Sequence, residues 1–390
     1  MVETRYMNLN MGPQHPATHG VLRVALELDG ETIVSSVPYI GYLHRGVEKL
    51  MENKTYWQAE PLTDRLDYTS GMSNNLAYCL AVEKLLGIEI PKRAQYIRVM
   101  LSELQRIAAH LLWVATHALD MGAMTVLFYG FRERENDLKV METVSGARLM
   151  PDYIRIGGLR EDLPDEFLGM AKTFIEDLPR RIDEYETLLT KNIIWMKRTR
   201  DVGILSAEDA VNYSVTGPVL RASGVNYDVR KVYPYSSYED FDFEIPLGKK
   251  GDVYDRYLVR LQEMRQSVRI VTQAIDKLPD GPVKASVPEY VPPEKDAVQK
   301  DIAALIRHFK LMADGIKPPK GEAYASIESS KGELGFYIVS DGTNKPYRVR
   351  IRPPSFLNLA SLPKMIERHL VADVVAVIGS VDIVLGEIDK

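Results

Sequence analysis

The stretch "GPQHPATHG", residues 12–20, decides how the rest of the chain is read. It places His15 and His19, two of seven histidines, four residues apart between Gly12 and Gly20 and among Pro13 and Pro16. The prolines restrict φ and the glycines permit unusual backbone angles, so the loop is stiff rather than floppy. Directly after it, Leu22, Val24, Leu26 and Leu28 alternate with Arg23, Ala25 and Glu27, the pattern of a half-buried strand. "DG" at 29–30 is a type I′ hairpin signal and "ETIVSSVPYIG" returns, so the loop precedes and enters the first strand of a β hairpin. An H-x-x-x-H pair serves one metal ion when it rides on a helix, and Pro16 argues against a helix. No metal is assigned, and the residues alone favour imidazoles that hydrogen-bond loop backbone.

Working outward, the chain has 390 residues, enough for one large domain or two to three packed subdomains. A 45 % hydrophobic and 26 % charged composition is that of a soluble globular protein. The net charge of −5 gives no global basic footprint for nucleic acid. "MVETRYMNLN" lacks the basic and apolar regions of a secretory signal. The run "VADVVAVIGSVDIVLG" (371–386) carries Asp373 and Asp382 and falls short of the ~20 apolar residues of a membrane span. A direct membrane anchor is therefore not expected, and docking onto a membrane partner stays open. Cys79 is the one cysteine, which excludes a disulfide framework and cysteine ligation of an iron–sulfur cluster by this chain.

Helices dominate the middle. "NLAYCLAVEKLLG" ends on Gly87 as a C-cap, and Pro91 opens a long helix with Ile97, Leu101, Leu104, Ala108, Leu111 and Ala115 at helical spacing. His110 and His117 fall near one face of it, with Asp120 close by. Further helices are expected over about 164–190, from Asp252, and over roughly 295–313. After "KPPKG" come three short strands, "EAYASIES", "ELGFYIVSDG" and "YRVRIRPP", with "SSKG" as the first turn; 356–390 reads as helix or strand. The fold class is α+β: an N-terminal β region with the loop (1–60), a central helical bundle (61–315) and a small C-terminal α+β region (316–390), integrated into one fold.

Each remaining cluster has a bland reading beside the chemical one. "GYLHRGVEKLMENKTY" (41–56), with His44, Arg45 and Glu48, reads as a helix N-terminus with a solvated charged face. "PLTDRLDYTSGMSNN" (61–75), with Asp67 and Tyr68, reads as a half-buried tyrosine before a helix capped by Ser73 or Asn74. "FYGFREREND" (128–137) alternates charge as a solvated or ion-paired helix does. "GSVDIVLGEIDK" (379–390) looks like a buried strand or turn whose acids lack an evident partner. No nucleotide-binding, P-loop, G-x-S-x-G or H-E-x-x-H motif occurs.

Taken in order, "GPQHPATHG", "HRGVEKL", "DRLDY", "RIAAHLLW", "HALDMGA" and "GEIDK" resemble the quinone-site subunit family of respiratory complex I, the proton-pumping NADH:quinone oxidoreductase, from about residue 6 to the end. That family is similar in turn to the large subunit of nickel–iron hydrogenases. Arg45, Gly46 and Glu48 meet the hydrogenase R-G-x-E pattern, but Asp67 and Ser70 stand where R-x-C-x-x-C has its cysteines, and "DIVLGE" replaces D-P-C-x-x-C.

The resemblance implies a hydrogenase large-subunit-like fold whose metal pocket, stripped of thiolates, accepts a quinone headgroup. It implies His19 and Tyr68 as ligands of that headgroup and Asp120 as the partner of His19. His15, His44, Arg45, Glu48 and Asp67 are candidates for shaping the cavity. No cofactor is expected on this chain. Electrons are expected from a 4Fe-4S cluster in the adjacent small iron–sulfur subunit (component B). Component C, the ferredoxin-like subunit (component I) and the membrane subunit (component H) of the same complex are the further partners expected. The expected place is peripheral, on the cytoplasmic face of the cell membrane. The alternative is the large subunit of a membrane-bound nickel–iron hydrogenase-type complex.

Overall fold

The computed structural model describes residues 6–390. The chain opens on a three-stranded antiparallel sheet in the order β1 (Met7–Met11), β2 (Arg23–Asp29), β3 (Thr32–Tyr39). The expected hairpin is β2–β3. The 12–20 loop is not simply its leader but the connection from β1 to β2, and β1, where Met7, Leu9 and Met11 alternate with asparagines over only five residues, went unread. The β2–β3 turn has positive φ only at Gly30 (62°), so it lacks the second left-handed residue of the type I′ turn expected from "DG".

Two short helices follow, α1 (Val47–Glu52) and α2 (Tyr56–Thr63), and then α3 (Gly71–Leu86) and the 29-residue α4 (Lys92–Asp120). Gly87 ends α3 in the left-handed conformation (φ 65°), as read. The N-cap of α3 is Ser70, not Ser73 or Asn74, which lie inside the helix and are buried. All six periodic apolar positions of α4 are fully buried. Helix α5 (Met124–Ser145) packs back on α4 at Gly130, where a Cβ would stand 2.8 Å from that of Ala115. Only glycine permits this approach. The alternating charges of α5 are ion-paired, Arg132 with Glu133 and Glu184 and Arg148 with Glu135.

A small ladder, β4 (Ile154–Arg155) with β5 (Gly158–Leu159), leads to α6 (Asp165–Leu189). Four short helices come next: α7 (Ile193–Thr199), α8 (Ala207–Asn212), α9 (Gly217–Ala222) and α10 (Val229–Val232). Helix α11 (Val253–Asp276) starts where expected, because the Asp252 side chain caps it at the Asp255 N–H. The helix expected over 295–313 is two, α12 (Lys295–Lys300) and α13 (Ile302–Asp314), broken at Asp301, whose side chain caps the second.

The second three-stranded sheet is antiparallel, β6 (Gly321–Ser329), β7 (Gly332–Ser340) and β8 (Arg348–Arg352), in that order. The ambiguous tail is helical: α14 (Pro354–Ala360), α15 (Leu362–Ile366), α16 (Val371–Val381) and α17 (Leu385–Ile388). "GSVDIVLGEIDK" is thus the end of α16, a left-handed Asp382 and a short helix, not a strand. One core joins α3, α4, α6, α11 and the β6–β8 sheet. A second joins the β1–β3 sheet to α15, α16 and α17, so the two ends of the chain pack together. Among the described residues no helix is long and apolar enough to cross a membrane.

Candidate functional site

The 12–20 loop is held by its own atoms. Pro16–Thr18 form one 3-10 turn, begun by His15, whose Nδ1 accepts from the Ala17 N–H at 3.2 Å. The Thr18 hydroxyl donates to the His15 carbonyl at 2.7 Å. A Cβ at Gly12 (φ 82°) would collide with the Leu22 carbonyl, so that glycine is required. The bland reading therefore describes His15, which stiffens the loop. His19 ends the turn in the left-handed region (φ 50°, ψ 50°), an uncommon backbone for a side chain with Cβ. This aims its ring out of the loop, and its Nε2 lies 2.8 Å from Asp120 Oδ2.

Asp120 is the last residue of α4. A carboxylate at a helix C-terminus meets the negative end of the helix dipole, and a protonated imidazole offsets both charges. His117, one turn earlier, is fully buried with no hydrogen-bond partner at either ring nitrogen among the described residues. Burial pushes it well below the usual histidine range, with the His19 and Arg260 charges adding to the effect. It stacks on Trp113, 5.1 Å between ring centres. Helix α16 closes over both residues at Gly379, where a Cβ would come 2.5 Å from His117 Nδ1 and 3.3 Å from Asp120 Oδ2.

Tyr68 sits in the turn between α2 and α3 and is 43 % exposed. Burial of its ring and the neighbouring Asp67 raise its pKa above the usual phenol value. Asp67 is fully buried; its Oδ1 accepts from the Thr69 N–H (3.0 Å) and hydroxyl (2.7 Å), and its Oδ2 lies 3.1 Å from Lys331 Nζ. Lys331 is the feature here that sequence reasoning missed, while His117, read on one face of α4 near Asp120, was given no role. Lys331 stood in the "SSKG" turn as a lysine like any other, and only its burial marks it.

The remaining candidates fasten the C-terminus. Arg45 Nη2 donates to the carbonyls of Arg65 (2.8 Å) and Gly386 (2.6 Å). His44 Nδ1 lies 2.7 Å from the Asp389 carbonyl, and the Asp389 carboxylate accepts from the N–H groups of Gly41 and Leu43 at 2.8 Å each. Glu48 accepts from the Ile351 N–H at 2.9 Å and pairs with Arg350 (3.3 Å) and Lys390 (3.5 Å). The solvated face expected for Glu48 is thus a correction. Glu48 and, one turn on, Glu52 are largely buried against β8, because α1 is only six residues long and lies on that strand. The acids of the tail likewise have partners: Lys331 for Asp382, the Ser355 N–H for Glu387, and the 41–44 loop for Asp389.

The structure thus brings His19 and Asp120 into contact, and the loop that carries His19 and the segment that carries Tyr68 both reach the start of α17. Gly20 faces Leu385 at one end of that helix, and Gly386 abuts the Leu66 carbonyl. Two cavities lie elsewhere. One of about 430 Å³ is lined by Trp57, Glu60, Arg155 and Met312; the other, of about 660 Å³, by Arg98, Tyr235 and Tyr324. Neither is lined by His19, Asp120 or Tyr68: Tyr68 is exposed, and the His19–Asp120 pair is largely buried. Among the described residues no group of three or more histidine, cysteine, aspartate or glutamate side chains is gathered to hold a metal ion.

Against known proteins, a family model described as "Respiratory-chain NADH dehydrogenase, 49 Kd subunit" matches residues 120–390. A relative from Geotalea uraniireducens, named as the D subunit of an NADH-quinone oxidoreductase, is 56 % identical over the full length of both chains. A relative of the same name from Geobacter metallireducens is 57 % identical, again over the full length of both chains. One from Chloroflexus aurantiacus, which carries that name with the number 2, is 57 % identical over 99 % of this chain and 95 % of its own.

Proposed function

The chain belongs to the family of the 49 kDa subunit of respiratory-chain NADH dehydrogenase, and from that premise we propose that it forms the quinone-reduction site of a proton-translocating NADH:quinone oxidoreductase. The supporting observation is the His19–Asp120 contact at 2.8 Å, held by a self-braced loop, with the exposed Tyr68 in a segment that reaches the same end of α17. None of the cavities described above is lined by His19 or Tyr68, so the headgroup binds between this chain and a covering subunit. The adjacent iron–sulfur subunit, whose cluster delivers the electrons, supplies that wall.

Reduction adds two electrons and two protons, and each carbonyl oxygen gains negative charge as electrons arrive. His19 donates to one oxygen and Tyr68 to the other. A preorganised donor stabilises developing charge without reorganising at the moment of reaction. Asp120 fixes the His19 ring and balances its charge while the proton is held. Loss of that proton leaves Asp120 uncompensated at the negative end of α4, and this charge imbalance is the input to the proton-pumping module. On this reading the fold is that of a hydrogenase large subunit whose metal pocket has lost its thiolates: Asp67 and Asp382 share the ammonium of Lys331, and Cys79 is buried beside Glu60. A nickel–iron hydrogenase-type large subunit is the weaker reading for that reason. The chain sits peripherally on the cytoplasmic face. Its neighbours there are the small iron–sulfur, ferredoxin-like and membrane subunits and component C.

The test is His19→Ala in the assembled complex. Quinone reductase activity is expected to fall about 100-fold, in the range seen when a positioned acid or base is removed. NADH oxidation by an artificial acceptor upstream stays at the parental rate. Normal quinone reduction in that variant removes His19 from the site.

A further inference from the structure

The turn between β6 and β7 buries Lys331 beneath the Tyr68 segment, with its side chain 1 % exposed. Its ammonium donates to the Thr69 hydroxyl at 2.9 Å and lies 3.1 Å from Asp67 Oδ2 and 3.4 Å from Asp382 Oδ2. Desolvation of a buried ammonium is strongly unfavourable unless opposite charge and hydrogen bonds surround it. Burial alone would lower its pKa; the carboxylates of Asp382, Asp67 and Glu387 more than reverse that, so Lys331 stays charged. One hydrogen bond, to Thr69, and two ion pairs, to Asp67 and Asp382, therefore hold the ammonium.

The grip falls on both sides of Tyr68. Residue 67 is held through its carboxylate and residue 69 through its hydroxyl, and these two also bond each other. The backbone is pinned as well: Asn74 Nδ2 donates to the Asp67 carbonyl at 2.9 Å and Gln105 Nε2 to the Thr69 carbonyl at 2.8 Å. Only the phenol between them is free to project. On its other side Lys331 holds Asp382, the residue that ends α16 in the left-handed conformation (φ 59°). One turn back along that helix, Gly379 abuts Asp120. A single ammonium therefore ties the tyrosine side of the site to the helix that backs the histidine side.

We propose that Lys331 is a positioning residue for quinone reduction, setting the Tyr68 phenol at a fixed place relative to the His19–Asp120 pair. The proposal rests on the quinone-site reading above. It assigns Lys331 no contact with quinone: it acts through Asp67, Thr69 and Asp382.

The test uses Lys331→Met in the whole complex, with a short-chain quinone and with an upstream artificial acceptor. A misplaced phenol weakens stabilisation that arises as charge develops, so the loss belongs to kcat. The expected result is a kcat lower by about tenfold or more, KM within about threefold of the parent, and an unchanged artificial-acceptor rate. Lys331→Arg, which restores the charge in a planar form, is expected to recover kcat above the methionine variant. Parental kcat in Lys331→Met, or a loss confined to KM, overturns the proposal. If Lys331→Met fails to assemble, Asp382→Asn, which leaves the ammonium and Asp67 in place, is read the same way. There kcat falls about two- to fivefold at constant KM, and parental kcat overturns the proposal. His19→Ala is measured in parallel. Activity lost there but kept in Lys331→Met rejects only the role of Lys331; activity kept in His19→Ala rejects the quinone site itself.

Discussion

Asp120 illustrates how much can rest on one side chain. At the C-terminal end of α4 a carboxylate is unfavourable by a few tenths to about 1 kcal/mol, and His19 Nε2, 2.8 Å from Asp120 Oδ2, gives it a partner there. Asp120→Asn keeps the shape and a hydrogen bond but removes the negative charge beside the imidazole. Quinone reductase activity is expected to drop about tenfold to 100-fold, with a parental rate to the artificial acceptor. A parental rate to quinone shows the pair to be merely structural. The sequence named His19, Asp120 and Tyr68, through resemblance to a family. Residue chemistry alone favoured an inert loop histidine, and for His15 that reading describes what the structure shows. Lys331 carried no such signal, since the partners that define it lie 264 and 51 positions away in the chain (331 − 67 and 382 − 331).

At the scale of elements, the α4–α16 contact governs the site. Trp113 Nε1 donates to the Gly379 carbonyl at 2.7 Å, and the missing side chain at 379 leaves room for His117 and Asp120. Gly379→Ala places a methyl group 2.5 Å from His117 Nδ1, and neither the stacked ring nor the helix can yield cheaply. Overpacking of this kind costs about 1–3 kcal/mol. The melting temperature of the complex should fall and quinone reduction should fall with it, because Asp120 is pushed from His19. An unchanged melting temperature would show that the helices separate freely. The helices themselves were legible: α4, α6 and α11 follow from apolar spacing and from Pro91 and Asp252 at their starts. The tail from 356 was not, because α16 is apolar on nearly every face, and such a run has no period to separate helix from strand.

The whole molecule is held by charge as well as by apolar packing. Between α4, α9, α10, α11 and β6 lies a buried network: Glu103 with Arg106 and Arg230, Arg230 with Asp228, Arg221 with Glu263 and Glu328, and Glu263 with His110. Although burial opposes its ionisation, Arg106, Arg230 and two hydroxyl donors hold Glu103 down at about 2, so its contribution exists above the ordinary carboxylate range and is lost as pH falls towards 2. Glu60 behaves oppositely. Burial raises it from 4.5 to about 8 against the pull of Arg155. Between those values the folded chain keeps a proton that the unfolded chain has lost. Its contribution is complete below 4.5 and disappears as pH rises through 8. Glu60→Gln removes this titration, so the fall in melting temperature between about pH 5 and 8 should be shallower in the variant than in the parent. Parallel curves would place the proton elsewhere.

The sequence by itself determined that the chain is α+β, that it builds no cysteine cluster, and where its long helices and C-terminal strands run. These follow from composition, from apolar period and from turn residues, all of which act over a few neighbouring positions. Tertiary structure alone decided that the first and last parts of the chain share a core, that the acids of the tail fasten the 41–44 loop and Lys331, and that one lysine is buried beneath the Tyr68 segment. Burial and ion pairing depend on distances between segments hundreds of residues apart, and desolvation, which gives a buried charge its consequence, exists only once those segments have closed around it.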